Sequence, residues 1–141
     1  MHIEPHNIFE SRFQNRIAEL SRVTQEAVQF IEARGVGEQA SYIANLAIEE
    51  MVTNTLKYGY DDTAVHEILL RIEVHHAAVV LVIEDDGHEF DPLKAAEPDL
   101  NTPTEQRAPG GLGIHLVRKL AERMEYQRCD GRNRLTVRIR F

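Results

Sequence analysis

Hydrophobic residues recur every three or four positions in the first part of the chain. In residues 11–34 the apolar positions are Phe13, Ile17, Leu20, Val23, Val28 and Ile31. In residues 38–57 they are Ile43, Leu46, Ala47, Met51 and Leu56. This period predicts two amphipathic helices. Ser11 is placed to cap the start of the first helix and Gly35 to end it, while residues 7–10 fit a short edge strand.

The pattern then changes to a strand pattern. Residues 68–74 alternate between apolar and more polar side chains, and residues 79–83 form the continuous apolar run VVLVI. Alternation is typical of a half-buried strand, and a short apolar run flanked by turns fits a central strand. With a turn at His75-His76, the two strands are predicted to form a hairpin.

A helical stripe returns near the end of the chain, in residues 111–124. Its apolar positions are Ile114, Val117, Leu120, Ala121 and Met124. Two final strands, residues 125–129 and 135–141, are predicted on either side of a turn at residues 130–133, which contains Asp-Gly.

The segment of residues 88–110 follows neither period. Its prolines are Pro92, Pro98, Pro103 and Pro109. A loop of this length inside a compact domain is often a functional lid. We therefore predict a lid at about residues 88–110; a disordered insertion is the alternative, and both hold if a ligand orders the lid.

The order of elements is helix, helix, hairpin, lid, helix, hairpin. It predicts a two-layer α/β (α+β) sandwich, in which a mixed, mostly antiparallel sheet is covered on one face by three helices. The length of 141 residues fits a single domain over residues 1–141.

Composition narrows the classes of function. The net charge of −7 argues against direct nucleic-acid binding, which usually shows a basic stripe. We find no apolar run near the ~20 residues of a membrane span and no apolar signal segment. Cys129 has no partner for an internal disulfide and is interpreted as a small buried residue. These features predict a cytoplasmic protein with no membrane association.

A row of polar residues follows one face of the second helix. Glu50 and Asn54 are four residues apart, so their side chains lie one turn apart, and Lys57 and Tyr58 continue this face. Polar groups on a core-facing helix need a partner, which indicates a ligand or a polar network. A solvated helix face is the other interpretation.

Two further segments carry candidate chemistry. Asp85 ends the predicted central strand, where its carboxylate can accept a hydrogen bond from an amine such as that of adenine, and Gly87 allows close approach of the backbone. Alone, Asp-x-Gly is also a common turn.

The second segment is Gly110-Gly111-Leu112-Gly113, directly before a helix. Backbone N–H groups and the helix N-terminus can bind a phosphate there; a flexible helix start is the alternative.

Taken in order, these segments resemble the three motifs of the GHKL superfamily, the nucleotide-binding fold of DNA gyrase, Hsp90, MutL and sensor histidine kinases. The motifs are E-x-x-x-N at Glu50 and Asn54, D-x-G at Asp85 and Gly87, and G-x-G at Gly111 and Gly113. The resemblance covers about residues 11–141 and implies the Bergerat (GHKL) ATP-binding fold. It is closest to the bacterial anti-sigma-factor serine kinases of the RsbW type, through the segments EEMVTN, DDGHEFDP and GGLGIHLVR.

The resemblance implies roles for the residues of the first two motifs. Asn54 would hold Mg²⁺, and Glu50 would be the catalytic base that deprotonates the attacking hydroxyl. Asp85 would bind the adenine amino group, with Gly87 against the base. Thr136 could reach the base through water.

Other residues would contact the phosphates of ATP. These are Gly110, Gly111, Leu112 and Gly113, together with Lys57 and Arg107.

The function implied is an ATP-dependent serine/threonine protein kinase. It would sequester a sigma factor or another regulator and phosphorylate a serine of an anti-anti-sigma (STAS) antagonist. A homodimer is also compatible, since members of this family are often dimers. Glu89 stands where the second motif often has another glycine, and Pro109 where an aligned basic residue is expected. These departures keep open an alternative, a non-catalytic nucleotide-gated protein-binding module.

Overall fold

In the computed structural model, the described residues are 2–94 and 111–141. They form a five-stranded antiparallel sheet with the strand order β1-β2-β3-β5-β4, and three α-helices. The elements in chain order are β1 Ile8–Gln14, α1 Ile17–Glu32, α2 Glu38–Tyr58, β2 Glu67–Val74, β3 Ala78–Asp85, α3 Leu112–Leu120, β4 Arg123–Cys129 and β5 Arg132–Arg140. The predicted α+β sandwich is confirmed, and every strand pair is antiparallel rather than mixed.

Alternation along the strands builds the two layers. In β5, Leu135, Val137 and Ile139 are buried toward the helices, while the residues between them are more exposed. Burying one face of a sheet under helices removes apolar area from water and leaves the opposite face to polar side chains. The arginines of β5 lie on that opposite face, as their alternation predicts.

Helix α2 is the central helix of the covering layer. It packs against α1 and α3 and lies on strands β3 and β5. The small residues Ala44 and Ala47, both fully buried, allow close approach of its neighbours. As a result, the packing of α2 fixes the position of its polar residues, Glu50 and Asn54 among them, relative to the sheet.

The N-terminal prediction is partly wrong. β1 extends to Gln14, so Ser11 lies in a strand opposite Leu70 and does not cap a helix. Helix α1 begins at Ile17. Phe9 and Phe13 are four residues apart, a spacing that fits one face of a helix and one face of a strand equally well. Pairing with the edge of β2 decides in favour of the strand.

The third helix is shorter than predicted. It ends at Leu120, and Met124 belongs to β4 although it still packs against the core. The turn is also shorter, because Cys129 pairs with Arg132 and only Asp130 and Gly131 connect the strands. Their φ values of 53° and 75° are those of a type I′ hairpin turn.

Cys129 is exposed, so the expectation that it is buried is wrong. It lies at the end of β4, whose outward positions face away from the helices. Part of the predicted lid, including Arg107, Pro109 and Gly110, lies outside the described residues. In the described ranges, no helix has the length and apolar character that crossing a membrane requires.

The hairpin turn provides a test of the fold. Gly131→Ala introduces a side chain at a φ of 75°, a left-handed conformation that costs an L-residue about 1 kcal/mol. We expect the free energy of unfolding to fall by about this amount, measured by urea denaturation. Asp130→Asn is the control and should be neutral, since Asn tolerates this conformation equally. An unchanged stability of Gly131→Ala would contradict the turn assignment.

Candidate functional site

A pocket of about 210 Å³ lies between α2 and the ends of β3 and β5. Its lining residues come from α2, the end of β3, the segment after β3, and the β4–β5 hairpin: Met51, Asn54, Thr55, Tyr58, Gly59, Ile83, Asp85, His88, Glu89, Phe90, Pro92, Tyr126, Asn133 and Leu135. Most of the wall is apolar, and the polar side chains of Thr55 and Asn133 contact Asp85. A mainly apolar pocket with a few placed polar groups is typical of a small-molecule site.

Asp85 is a buried carboxylate at the end of β3, only 6% exposed. Its Oδ1 accepts hydrogen bonds from the backbone N–H of Gly87 at 2.8 Å and from Nδ2 of Asn133 at 2.9 Å. A buried charge requires such donors to offset the loss of water.

The second oxygen of Asp85 is differently placed. Among the described residues, the hydrogen bond to Oδ2 is a long one, 3.4 Å from the hydroxyl of Thr55. That hydroxyl has a single proton and also donates to the carbonyl of Met51 at 3.1 Å. Oδ2 therefore keeps the capacity to accept a hydrogen bond from a ligand amine in the pocket.

Gly87 lies where two backbone segments meet. A Cβ built on Gly87 would be 2.7 Å from the carbonyl oxygen of Gly59, which accepts a hydrogen bond from the N–H of His88 at 2.8 Å. The end of α2 and the end of β3 are thereby joined through the backbone. Gly59 is a partner of Gly87 that the sequence did not reveal, and the close approach of Gly87 to a base remains a prediction.

The structure brings the first and third motifs together. A Cβ built on Gly113 would be 2.0 Å from Cδ of Glu50, so the first turn of α3 packs directly on the Glu50 side chain. Gly111 is the N-cap of α3 and offers no side-chain cap, and Leu112 is exposed at the first helical position. Asn54, one turn beyond Glu50, lines the pocket.

Two predicted residues lie away from this pocket. Thr136 pairs with Val82 and Glu125, on the sheet face turned away from the helices. The structure therefore does not bring Thr136 to the pocket, because strand alternation directs Leu135 there instead. Lys57 is exposed at the end of α2 and is not among the lining residues.

Asn133 is the site residue that sequence reasoning missed. It is 8% exposed and bonds Asp85, and its Oδ1 accepts from the hydroxyl of Tyr126 at 2.5 Å and from Nη1 of Arg128 at 3.1 Å. The predicted four-residue turn had included Asn133. With a two-residue turn, Asn133 belongs to β5. Because it is two positions before the inward-facing Leu135, it also lies on the inward face.

A charged cluster borders the pocket at the connection between α2 and β2. Nε2 of His66 lies 2.7 Å from Oδ1 of Asp62, and Nδ1 lies 3.1 Å from Oδ1 of Asp86. The ring stacks on Tyr60 with centroids 4.1 Å apart. These carboxylates, Asp62 foremost, raise the pKa of His66 above its usual 6.5, since only the protonated ring can donate to both.

Tyr60 in this cluster remains protonated. Its burial, followed by the nearby carboxylates of Asp85 and Asp86, raises the pKa of its hydroxyl well above the ordinary value. The cluster is not a metal centre: across residues 2–94 and 111–141 no group of three or more His, Cys, Asp or Glu side chains is arranged to hold a metal ion.

The fold and the pocket define a nucleotide-binding class of protein. A buried carboxylate, with one oxygen that among the described residues receives only a long hydrogen bond, lines a mainly apolar pocket, and a glycine-bearing helix start packs on the acidic residue of the neighbouring helix. The chain belongs to the histidine kinase-like ATPase domain family, whose model matches residues 13–140.

Curated relatives support the same assignment. The serine/threonine-protein kinase BtrW of Bordetella bronchiseptica is 30% identical over 96 residues, covering 68% of each chain. The serine-protein kinase RsbW of Bacillus pumilus is 28% identical over 110 residues, covering 69% of this chain and 67% of its own. The anti-sigma F factor of Clostridium novyi is 24% identical over 84 residues, 60% of this chain and 59% of its own.

The His66 cluster gives a pH-dependent prediction. A pKa raised by folding stabilises the protein fully below the unfolded-state value near 6.5, and this stabilisation is lost as the pH rises through the higher folded-state value. We therefore expect His66→Gln to reduce the melting temperature more at pH 6 than at pH 8.5. Calorimetry at both pH values measures this, with His76→Gln at the exposed hairpin turn as control. An equal reduction at both values would show that the two ion pairs are not formed.

Proposed function

We propose that this protein binds ATP in the pocket between α2 and the ends of β3 and β5, and that residues 1–141 act as one histidine kinase-like ATPase domain. The observation that carries the proposal is the geometry of Asp85. Asp85 lines the pocket; one of its oxygens is held by two N–H donors, and the other accepts only a long hydrogen bond from Thr55 among the described residues. An exocyclic amine such as that of adenine complements this oxygen.

The residues of the pocket fit the parts of a nucleotide. Ile83 and Leu135 provide apolar walls for a flat base, and at Gly87 any side chain would collide with the backbone of Gly59. The backbone N–H groups at Gly111, Leu112 and Gly113 lie at the start of α3, where an anion is favoured. We propose that these groups bind the phosphates, together with Gly110, Arg107 and Lys57.

We propose that the protein is a protein serine/threonine kinase with Glu50 as the catalytic base. ATP would supply the phosphoryl group, and Mg²⁺ would neutralise charge on its phosphates. Asn54 would hold the metal, and a single protein ligand suffices because Mg²⁺ usually takes its other ligands from phosphates and water. Glu50 would accept the proton of the attacking hydroxyl.

The proposed partners follow from the relatives. One is named a serine/threonine-protein kinase, one a serine-protein kinase and one an anti-sigma factor. We propose that this protein acts in the cytoplasm, sequesters a sigma factor or another regulator, and phosphorylates a serine on a STAS-type antagonist. A homodimer is part of this proposal.

One observation favours a second candidate, a non-catalytic module that binds its partner only in one nucleotide state. Glu50 packs against Gly113 and is not among the residues that line the pocket. Incubation with radiolabelled ATP, Mg²⁺ and STAS proteins from neighbouring genes separates the two, since only the kinase transfers label to a serine.

The contact of Asp85 with the base is tested by nucleotide binding. Asp85→Asn removes the charged acceptor and should weaken ATP binding roughly ten- to a hundredfold, the range for a lost charged hydrogen bond. Isothermal titration calorimetry measures the dissociation constant. Glu84→Gln, its neighbour on the opposite face of the sheet, is the control and should bind as the unmodified protein does. Unchanged binding by Asp85→Asn would exclude this pocket as the base site.

The role of Glu50 is tested by separating binding from transfer. Glu50→Gln should keep ATP affinity and lose about 10²- to 10⁴-fold in the rate of phosphoryl transfer, the usual contribution of a general base. Exposed Glu49→Gln on the same helix turn is the control. If Glu50→Gln loses ATP binding as well, the residue is structural; if it transfers phosphate normally, another group is the base.

A further inference from the structure

We infer that Asn133 is a positioning residue for base selection: it holds the Asp85 carboxylate so that Oδ2 remains directed at the amino group of the base. The inference rests on the proposed function, in which Asp85 meets adenine. Asn133 lies on β5 and Asp85 on β3, and the two residues are directly paired across the sheet. Both side chains are buried, so their interaction is little weakened by water.

The amide of Asn133 can adopt only one orientation. Nδ2 has two hydrogens and donates to Oδ1 of Asp85 at 2.9 Å and to the carbonyl of His88 at 2.7 Å. Rotating the amide by 180° would place its oxygen against these two acceptors. Two separate elements, the end of β3 and the segment after it, therefore fix which way the N–H groups point.

The oxygen of Asn133 is fixed as firmly. It accepts from the hydroxyl of Tyr126 at 2.5 Å, from Nη1 of Arg128 at 3.1 Å and from the N–H of Phe90 at 3.4 Å. Arg128 in addition donates to the carbonyl of Gly87 at 2.7 Å. Donors on the oxygen polarise the amide and strengthen the hydrogen bonds made by its N–H groups.

It follows that Asn133 acts through Asp85 rather than on the ligand. Both N–H groups and the oxygen of the amide are already used by the protein, so the side chain has no free donor for a base. Without Asn133, the N–H of Gly87 is the short hydrogen bond that remains on Oδ1 among the described residues. The carboxylate could then rotate, and the directed acceptor at Oδ2 would be lost.

This role predicts an effect that depends on the amino group of the ligand. Asn133→Ala should raise the dissociation constant of ATP about tenfold, the size of one charged hydrogen bond. Asn133→Ala should change the dissociation constant of purine riboside triphosphate by less than about twofold, because this nucleotide lacks the 6-amino group. Calorimetric titration of both nucleotides gives the four dissociation constants, and exposed Arg134→Ala on the same strand is the control.

A second variant covers the case in which Asn133→Ala does not fold. Tyr126→Phe removes one donor from the Asn133 oxygen and keeps the aromatic packing. A smaller loss that is again confined to ATP supports the inference. Equal losses for ATP and the analogue, or no loss for either, overturn it, because a merely structural residue would not distinguish the two nucleotides.

The unmodified protein separates this inference from the proposed function. If it binds ATP no better than purine riboside triphosphate, Asp85 does not meet the amino group, and both the base contact and the role of Asn133 are wrong. If it prefers ATP and Asn133→Ala keeps the same preference, the base contact stands and only the positioning role is wrong.

Discussion

The site depends on the buried carboxylate of Asp85 and on the hydrogen bonds that fix its orientation. Asp85 lies at the end of the central strand, away from water, where an unpaired charge would be strongly destabilising. Its short hydrogen bonds come from the N–H of Gly87 and the amide of Asn133 on the paired strand. The sheet register and the tight turn after β3 therefore each supply a hydrogen bond to the same atom, Oδ1 of Asp85.

The helical layer also contacts the Asp85 carboxylate and the segment that follows it. Thr55 on α2 reaches the second carboxylate oxygen, and the end of α2 touches the backbone after β3 through Gly59 and Gly87. Small buried residues on α2 set how closely it packs with its neighbours. The same helix presents Glu50 to the start of α3. The packing of the core therefore also determines how the three motifs are aligned.

The sequence predicted the elements well where a period or a glycine was unambiguous. Helix α2 and the hairpin of β2 and β3 follow from spacing, whereas the direct contact of Gly113 with Glu50 was not predicted. Ser11 was misassigned because Phe13, four residues before Ile17, continues the helical spacing although it belongs to β1. Only the partner strand resolves that choice, and a local pattern does not contain it.

Asn133 and Thr136 show a different limit. The two faces of β5 follow from the alternation of residues 135–141, but the strand begins at Arg132 and the turn was taken as two residues too long. That error left Asn133 in the turn. The role of Thr136 at the base was implied by the family resemblance, and Thr136 lies on the sheet face turned away from the helices. An inward polar residue beside a turn has no hydrophobic signal that marks it as part of the strand.

The length of the two-residue turn at Asp130 and Gly131 therefore determines the register of β5 at the site. Because strand side chains alternate with a period of two, a one-residue register slip of β5 would exchange its two faces. Arginines would then point into the helical layer, and the amide that faces Asp85 would point to solvent. The hairpin tip makes no contact with the ligand pocket, yet its length determines whether that pocket receives an amide or a guanidinium.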